Sequence, residues 1–271
     1  MSAFESVITR DQWREWPARV EPATSKLLDL FAQHGIKATF FTLGWVAENH
    51  PGVVRRIIDD GHELACHGLQ HTRVHQQNPD EFRADITRAK DLLEDVAGCA
   101  VHGYRAASFS IDERNLWAFQ EIEQAGFRYS SSIYPVHHDL YGMPNAPRTP
   151  FRAPETHALC EIPVSTVRLM GRNIPAGGGG YFRLLPYFLS RALIRRVNRN
   201  DGANANMYFH PWEFDPEQPR PEGIPLKSRF RHYLNQSRSL ARLDQLLHDF
   251  KWGPFCFVYA NEIAAGGRQL Q

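Results

Sequence analysis

Two histidines spaced four residues apart are the first feature of this sequence that could do chemistry. His67 and His71 lie in the stretch "GHELACHGLQH", close behind a short apolar run. Neutral imidazole binds zinc and other divalent ions, and a catalytic metal site commonly adds a carboxylate and leaves one position open for water. Two unrelated surface histidines would show the same spacing, so the interpretation depends on the elements that carry the pair.

The elements predicted around this pair alternate between helices and strands, which predicts an α/β fold with a mainly parallel sheet. Capping residues and apolar residues at helical spacing indicate the helices. These are "ATSKLLDLFAQHG", "HPGVVRRIIDDG", "NPDEFRADITRAKDLLEDVAG", "RNLWAFQEIEQAG", residues 184–198 and "SRSLARLDQLLHDF". Short apolar runs indicate the strands. These are "IKATFFTL", "HELAC", "AVHGYR", "FRYSSSIYP", "EIPVSTVRL", "NMYFH" and "FCFVYA".

Three of the predicted strands end in residues of catalytic type. Functional groups in α/β folds collect beyond the carboxyl ends of the strands, and these ends carry His67, Arg105 and His210. This placement favours metal binding by His67 and His71. An arginine at such a position often pairs with a carboxylate that needs orienting. Read alone, His210 in "HPWEF" is equally consistent with a core histidine or a general acid, and Trp212 could form a pocket wall.

The glycine run in "PAGGGGYF" matches neither a P-loop nor a dinucleotide fingerprint, because it lacks the GK[ST] and GxGxxG spacings. Four consecutive glycines either let the backbone approach a bulky ligand or form a mobile loop. We expect Gly178, Tyr181 and Trp212 to contact the substrate.

Composition narrows the remaining function classes. The 271 residues include 31 basic and 30 acidic side chains, a net charge of +1, so there is no bulk electrostatic basis for binding nucleic acid or an anionic membrane. The four cysteines form no CxxC pair and indicate neither a disulfide framework nor a cysteine zinc site. Without a signal pattern or membrane-spanning run, we expect a cytoplasmic protein unless an upstream segment carries an export signal.

An ordered set of motifs extends over nearly the whole chain. The motifs are "HPGVVRRIIDDGHELACHGLQH", "GYRAASFSID", "FRYSSSIYP", "PAGGGGYFRLLPY", "YFHPWEFDP" and "WGPF". Together they resemble the polysaccharide deacetylases of carbohydrate esterase family 4, the NodB-homology family. Within that family they are similar to the subgroup associated with bacterial exopolysaccharide export, which carries a C-terminal extension of the DUF3473 type. The resemblance implies a distorted (β/α) barrel of about seven strands in a single domain over residues 1–271, with the extension included in residues 211–271.

The resemblance also implies an activity and the roles of four residues. The family removes N- or O-acetyl groups from glycans with a divalent metal, and we expect zinc. His67 and His71 resemble its metal-binding histidines. Arg105 resembles the arginine that orients the catalytic base, and His210 resembles the general acid. The implied function is metal-dependent deacetylation of an acetylated amino-sugar polysaccharide or oligosaccharide in exopolysaccharide biosynthesis.

The family's first motif does not occur in this sequence. It is an Asp-bearing strand that supplies the base and a third metal ligand, and it would precede "SAFES", so we expect the first barrel strand to be absent. Glu5, Asp11 and Glu63 are available carboxylates, but none ends a predicted strand, and Glu63 is expected to pack its own strand. Ala107 and Ser130 also depart from the family pattern. We expect little or no activity, with an upstream start favoured over an evolved loss of the base.

Two other functions stay open at this point. A metal-assisted hydrolase of a small non-sugar amide would use similar chemistry, and comparing chito-oligosaccharides with small cyclic amides as substrates would separate the two. A catalytically inactive homologue would bind glycan saturably, keep that binding after His210→Ala, and release no product with excess zinc.

Overall fold

Helices and short strands alternate along the chain in the computed structural model, which describes residue 4 and residues 7–138 and 141–269. The helices are α1 (Val20–Gln33), α2 (Gly44–Asn49), α3 (Pro51–Asp59), α4 (Pro79–Ala97), α5 (Ala118–Gln124), α6 (Gly179–Leu184), α7 (Tyr187–Asn200), α8 (Leu226–Tyr233), α9 (Gln236–Asp249), α10 (Phe255–Val258) and α11 (Ala260–Ala264). The strands are β1 (Thr39–Thr42), β2 (Glu63–Cys66), β3 (Gly103–Tyr104), β4 (Tyr129–Ser130), β5 (Phe151–Arg152), β6 (Cys160–Glu161), β7 (Thr166–Leu169) and β8 (Arg172–Pro175).

Six of the strands form one mainly parallel sheet in the order β1-β2-β3-β4-β6-β5. Every neighbouring pair from β1 to β6 is parallel, and β5 is antiparallel to β6. The strands β7 and β8 form a separate antiparallel hairpin. The predicted α/β class is therefore confirmed. Over the described residues the sheet stays open along β1, as a distorted barrel without its first strand would, and no closed barrel forms.

Helix α4 shows how local sequence sets the element boundaries. The Asn78 side chain accepts the amide of Glu81 at 2.9 Å, and the Glu81 carboxylate accepts the amide of Asn78 at 3.0 Å, which closes a capping box around Pro79. Gly98 ends the helix with a positive φ of 66°, a conformation that glycine adopts without strain. One face of the helix packs into the main core. Its buried residues are Phe82, Ile86, Ala89 and Leu93.

A second apolar cluster joins the start of the chain to its last third. It comprises Leu27, Leu30, Phe182, Ile194, Phe214, Leu243, Leu246 and Leu247. An ion pair lies beside it, since Nε and Nη2 of Arg19 donate to the two carboxylate oxygens of Asp215 at 2.7 and 2.5 Å. The Asp215 side chain is completely buried. The turn that follows His210, a 3₁₀ helix over Pro211–Phe214, is thereby fixed against α1.

The strand predicted for "FCFVYA" is wrong, because this segment forms α10 and the start of α11. The amide of Phe255 donates to Thr39 Oγ1 at 2.8 Å, and the amide of Cys256 donates to Glu63 Oε2 at 3.0 Å. These bonds to side chains replace the backbone ladder that a strand would need. The amide of Val258 then donates to the carbonyl of Pro254 at 2.9 Å and closes a helical turn.

Two other predicted strands are changed. The segment "EIPVSTVRL" is divided into β6 and β7 around Pro163, whose nitrogen cannot donate to a ladder. The segment "NMYFH", residues 206–210, belongs to no strand. Its backbone is nevertheless extended at His210, with φ −106° and ψ 142°. Asn206 is held by Ser165, whose amide donates to the Asn206 carbonyl at 3.3 Å.

Candidate active site

A cavity of about 1010 Å³ runs along the open edge of the sheet. Strand β1 lines one side of it, and residues 204–210 line another. One part of its lining is apolar and includes Leu27, Phe31, Leu246, Leu247, Phe250 and Trp252. The other part is polar and includes His67, His71, Arg105, Tyr208, His210 and Trp212. The structure therefore brings all the predicted metal-binding and catalytic residues to one cavity.

His67 lies directly after β2 and is held in one orientation. Its amide donates to the carbonyl of Thr42 at 2.9 Å, and its Nδ1 donates to the carbonyl of Arg105 at 2.7 Å. Because Nδ1 carries the proton in this bond, Nε2 keeps its lone pair, as metal-binding histidines require. Burial, and then the neighbouring His71, hold the pKa of His67 well below its ordinary value. The ring is neutral at pH 7.

His71 lies against His67, with ring centroids 5.1 Å apart and planes at 75°. Its φ of 60° lies in the left-handed region, which is strained for a residue with a side chain and is common at functional sites. Its Nδ1 is buried without a hydrogen-bond partner. Burial, and then the charge of His210, lower the pKa of His71 to about 4. Two neutral imidazoles, one with an unpartnered buried nitrogen, suit a divalent cation.

The described residues do not complete a metal site around this pair. No group of three His, Cys, Asp or Glu side chains among them is arranged to hold a metal ion. Glu63 starts β2, at the strand end away from His67, and accepts hydrogen bonds from Thr39 Oγ1 at 2.5 Å and the Tyr129 hydroxyl at 2.8 Å. Asp11 is exposed, and Glu5 lies outside the described residues. Among the described residues, the two histidines therefore fit as two ligands of an incomplete set.

Arg105 follows β3 and is buried, with 8% of its surface exposed. Its Nε donates to the carbonyl of Ser131 at 2.9 Å and its Nη2 to Ser131 Oγ at 2.8 Å. The guanidinium carbon lies 4.1 Å from the ring centroid of Phe41. Burial lowers the pKa of Arg105 to about 10, which leaves it charged at neutral pH. None of the ion pairs among the described residues involves Arg105, so this buried cation has no carboxylate within ion-pair distance.

His210 is held by a buried carboxylate that the sequence analysis did not identify. Its backbone amide and its Nδ1 both bond to Glu213 Oε1, at 3.0 and 2.9 Å. The second oxygen of Glu213 accepts Nε of Arg183 at 2.9 Å. Burial alone would raise the pKa of Glu213, but His210 and Arg183 lower it below its ordinary value. The side chain is an ionised anchor that leaves Nε2 of His210 available for proton transfer.

The signal for this carboxylate was present in the sequence as a capping pattern. In "HPWE", Pro211 takes the first helical position and Glu213 the third, so the Glu213 side chain returns to the residue before the helix. The close packing of α6 against the Glu213 carboxylate could not be predicted from the sequence in this way. A Cβ atom on Gly179 would overlap the carboxylate of Glu213, so a larger residue at this position would displace that carboxylate.

The predicted substrate contacts are only partly brought together. Trp212 lines the cavity and stacks on the ring of His210, with centroids 5.4 Å apart and planes at 22°. Gly178 and Tyr181 are not among the described residues that line it. A Cβ on Gly178 would lie 2.8 Å from the ring of Tyr208, so this glycine lets Tyr208 occupy the cavity wall instead.

Comparison with known protein families identifies a domain in the first part of the chain. The family model "Polysaccharide deacetylase" matches residues 7–130. Residues 7–130 thus carry a polysaccharide deacetylase domain of the NodB type. The curated relatives of this domain are named as deacetylases, which are hydrolases. A second model, "Domain of unknown function (DUF3473)", matches residues 131–260.

Two curated relatives match the chain over about a third of its length. The chain is 38% identical over 99 residues to a peptidoglycan-N-acetylglucosamine deacetylase of Bacillus cereus, covering 36% of each protein. It is 30% identical over 88 residues to a chitooligosaccharide deacetylase of Bradyrhizobium, covering 32% of this chain and 40% of the relative. The chain thus matches little more than a third of these relatives' lengths.

The fold is shared more widely than the sequence. A crystal structure from Mycobacterium smegmatis, described as a polysaccharide deacetylase, superposes with a TM-score of 0.60 at 20% identity. The superposition covers 92% of this chain and 80% of that one.

Across the described residues, no helix combines the length and the apolar character needed to cross a membrane.

Proposed function

We propose that this protein removes acetyl groups from acetylated amino-sugar polysaccharides or oligosaccharides. The polysaccharide deacetylase model matched by residues 7–130 and the named activities of the two relatives support the reaction class. The observation that carries the proposal is the geometry at the polar end of the cavity. There His210, anchored on buried Glu213, lines the same space as the neutral pair His67 and His71.

Hydrolysis of an acetamido group requires a proton for the departing amine, and we propose that His210 supplies it. Its Nδ1–H donates to Glu213, so the proton delivered to the leaving nitrogen comes from Nε2. The ionised carboxylate stabilises the protonated imidazole, and Arg183 keeps that carboxylate ionised. Trp212, stacked on the imidazole, restricts its rotation and offers an apolar face to a sugar ring.

We further propose that His67 and His71 bind a divalent ion, with zinc as the first candidate. A bound ion would polarise the acetyl carbonyl and activate water there. Because the described residues provide only two ligands and no carboxylate base beside them, we propose that this chain by itself turns over slowly. Arg105 is proposed to orient an acidic group that enters the site.

The test is acetate release from chito-oligosaccharides by the purified chain, with and without added zinc. We expect measurable release that depends on zinc and is lost in His210→Ala. Zinc binding, followed by calorimetry, should be lost in His67→Ala and kept in His210→Ala. Release that is equal in wild type and His210→Ala would refute the proposed acid. Faster hydrolysis of small cyclic amides would instead favour a non-sugar amidase.

The incomplete ligand set favours one second candidate, an inactive glycan-binding protein. That candidate predicts saturable binding of chito-oligosaccharides, unchanged by His210→Ala, and no acetate at any zinc concentration. The same titrations distinguish it from the deacetylase.

We also propose that residues 1–271 fold as one domain, in which residues 211–271 include a family-specific C-terminal extension. The Arg19–Asp215 ion pair and the apolar cluster shared by α1 and α9 support this arrangement. A single cooperative unfolding transition is expected, and two separate transitions would contradict it. A role in exopolysaccharide synthesis, a cytoplasmic location and substrate contacts by Gly178 and Tyr181 stay predictions.

A further inference from the structure

The stretch from residue 162 to residue 200 carries positive charge only. It contains seven arginines and no aspartate, glutamate or lysine, although the whole chain has 31 basic and 30 acidic residues. The stretch includes the hairpin of β7 and β8 and the helices α6 and α7. Charge that is balanced over the whole chain is therefore unbalanced in this part of the fold.

Helix α7 presents to solvent a face that is both apolar and basic. The buried residues of the helix, Ser190, Ile194 and Val197, lie on its opposite face. At about 100° per residue, six exposed residues fall within roughly 120° of the helix circumference. They are Phe188, Leu189, Ala192, Arg195, Arg196 and Arg199. Phe188 is 67% exposed, so this aromatic ring has no cover within the described chain.

The β7–β8 hairpin lies against the same helix. Val197 packs with Val167 in β7 and with Ala176, which directly follows β8. At the edge of the exposed face, Nη2 of Arg196 donates to the carbonyl of Arg168 at 3.4 Å. The tip of the hairpin begins two residues after Arg168. The exposed face of α7 and the hairpin tip therefore form one continuous surface.

The hairpin turn exposes a methionine where its backbone favours other residues. Leu169 pairs with Arg172, which leaves a turn of two residues. These residues, Met170 and Gly171, both have positive φ angles, of 48° and 78°. Turns of this kind favour asparagine or aspartate followed by glycine. Met170 is strained there and 94% exposed, which indicates that its apolar side chain has a contact outside the chain.

Five arginines around these apolar side chains are exposed and take part in none of the ion pairs among the described residues. They are Arg168, Arg172, Arg195, Arg196 and Arg199. The other two arginines of the stretch, Arg183 and Arg191, are paired with carboxylates. The next acidic residue along the chain, Asp201, is paired with Arg148. The surface is therefore complementary to a partner that offers many negative charges and an apolar layer.

We propose that α7 and the β7–β8 hairpin form a docking surface for a membrane that contains anionic lipids. Phe188 and Met170 insert at the boundary between headgroups and acyl chains, and the five arginines bind lipid phosphates. Arginine suits this position because its stem lies along apolar groups while its guanidinium stays among the phosphates. The chain then lies on one face of the bilayer. This function belongs to the part matched by the DUF3473 model, and it does not depend on the proposed deacetylation.

Other partners fit this surface less well. A nucleic acid would neutralise the arginines but would leave the side chains of Met170 and Phe188 without apolar contacts. A second copy of the chain would bring arginines against arginines. An acidic protein would need matching pockets for both the hairpin tip and the helix face. A fluid lipid surface accommodates both without a fixed shape.

The test measures binding of the purified chain to lipid vesicles by co-sedimentation, without glycan. Vesicles of phosphatidylcholine alone are compared with vesicles of equal parts phosphatidylcholine and phosphatidylglycerol. We expect saturable binding to the anionic vesicles that is at least roughly tenfold tighter than to the neutral ones and weakens as salt is added. Equal binding to both kinds of vesicle would overturn the proposal.

Two double variants separate the apolar contacts from the charges. Met170→Asn with Phe188→Ser removes the apolar side chains, and its affinity should fall at least roughly tenfold. Asparagine suits the turn, so urea denaturation should show no loss of stability from Met170→Asn alone. Arg195→Gln with Arg199→Gln should weaken binding by about 25-fold, since each arginine near an anionic surface contributes about a fivefold factor.

A matched control removes the same charge from another part of the chain. Arg55 on α3 and Arg88 on α4 are exposed, and α3 packs mainly against α1, α2 and α4. Arg55→Gln with Arg88→Gln should change vesicle affinity less than twofold. An equal loss in this control would show that net charge alone drives binding, and would overturn the docking surface. Unchanged binding by the apolar double variant, or tighter binding to duplex DNA than to anionic vesicles, would also overturn it.

This proposal and the proposed function can fail separately. None of the substituted residues lines the cavity, so acetate release from soluble chito-oligosaccharides should be unchanged in all these variants. Acetate release by a chain that binds no vesicles would support the deacetylase and overturn the docking surface. Vesicle binding with the expected variant pattern, but without acetate release at any zinc concentration, would support the docking surface and count against the deacetylase.

Discussion

Replacing Glu213 by glutamine tests the chemistry assigned to the polar end of the cavity. The two side chains have nearly the same shape, but glutamine carries no charge. Glu213 is 1% exposed and accepts hydrogen bonds from His210 and Arg183. The substitution therefore removes the charge that stabilises protonated His210 and the counter-charge of a buried guanidinium.

These contacts set the expected losses in kcat/KM and in the free energy of unfolding. General acid catalysis typically contributes a factor of about 10² to 10⁴, so we expect kcat/KM for acetate release to fall by roughly 10² or more. Breaking a buried ion pair typically costs about 3–5 kcal/mol. Arg183 keeps hydrogen bonds to the carbonyls of Arg231, His232 and Leu234, so we expect a loss of about 3 kcal/mol in the free energy of unfolding.

A double-mutant cycle with His210→Ala separates catalysis from stability. If Glu213 acts through His210, Glu213→Gln should change acetate release little once His210 is alanine. The loss of stability should persist in the His210→Ala background, because it arises mainly from Arg183. Acetate release is measured at fixed zinc and pH, and stability by urea denaturation. A kcat/KM within threefold of wild type for Glu213→Gln would refute the reasoning.

Three further predictions concern buried groups around the site. Burial lowers the pKa of His62 to about 4, so the unfolded state binds more protons than the folded state below pH 6.5. The free energy of unfolding should therefore fall from pH 6.5 toward pH 4, by up to about 1.4 kcal/mol per pH unit for this group. The substitution His62→Gln should remove this contribution in urea titrations. Gly179→Ala places a Cβ in the Glu213 carboxylate and should lower the free energy of unfolding by about 1–3 kcal/mol, whereas Gly180→Ala, which meets nothing within 4 Å, should not. Arg19→Ala leaves the Asp215 carboxylate buried without its bidentate partner and should cost about 3 kcal/mol, and a change below 0.5 kcal/mol would contradict the assigned pair.

Local sequence was sufficient to predict the elements whose boundaries depend on contacts between residues close together in the chain. The capping box of Asn78 and Glu81 and the positive-φ glycine at 98 lie within one helix and its ends, so α4 could be predicted almost to the residue. His67 and Arg105 follow strands recognisable from their apolar runs, and parallel strands bring their carboxyl ends to one edge. The meeting of His67 and Arg105 in one cavity therefore followed from periodicity and parallel strands, whereas His210 ends a segment that forms no strand.

Only the tertiary structure decided which partners these residues find. The ion pair between Arg19 and Asp215 joins positions 196 residues apart, and the Arg183 contact to Glu213 depends on how closely α6 packs. The segment "FCFVYA" has strand composition but forms a helix, because its amides meet the side chains of Thr39 and Glu63 rather than a free strand edge. Intrinsic preferences act over a few residues and amount to about 1 kcal/mol or less. Long-range packing and burial act between distant segments with larger energies, and so they override local preference at the open edge of the sheet.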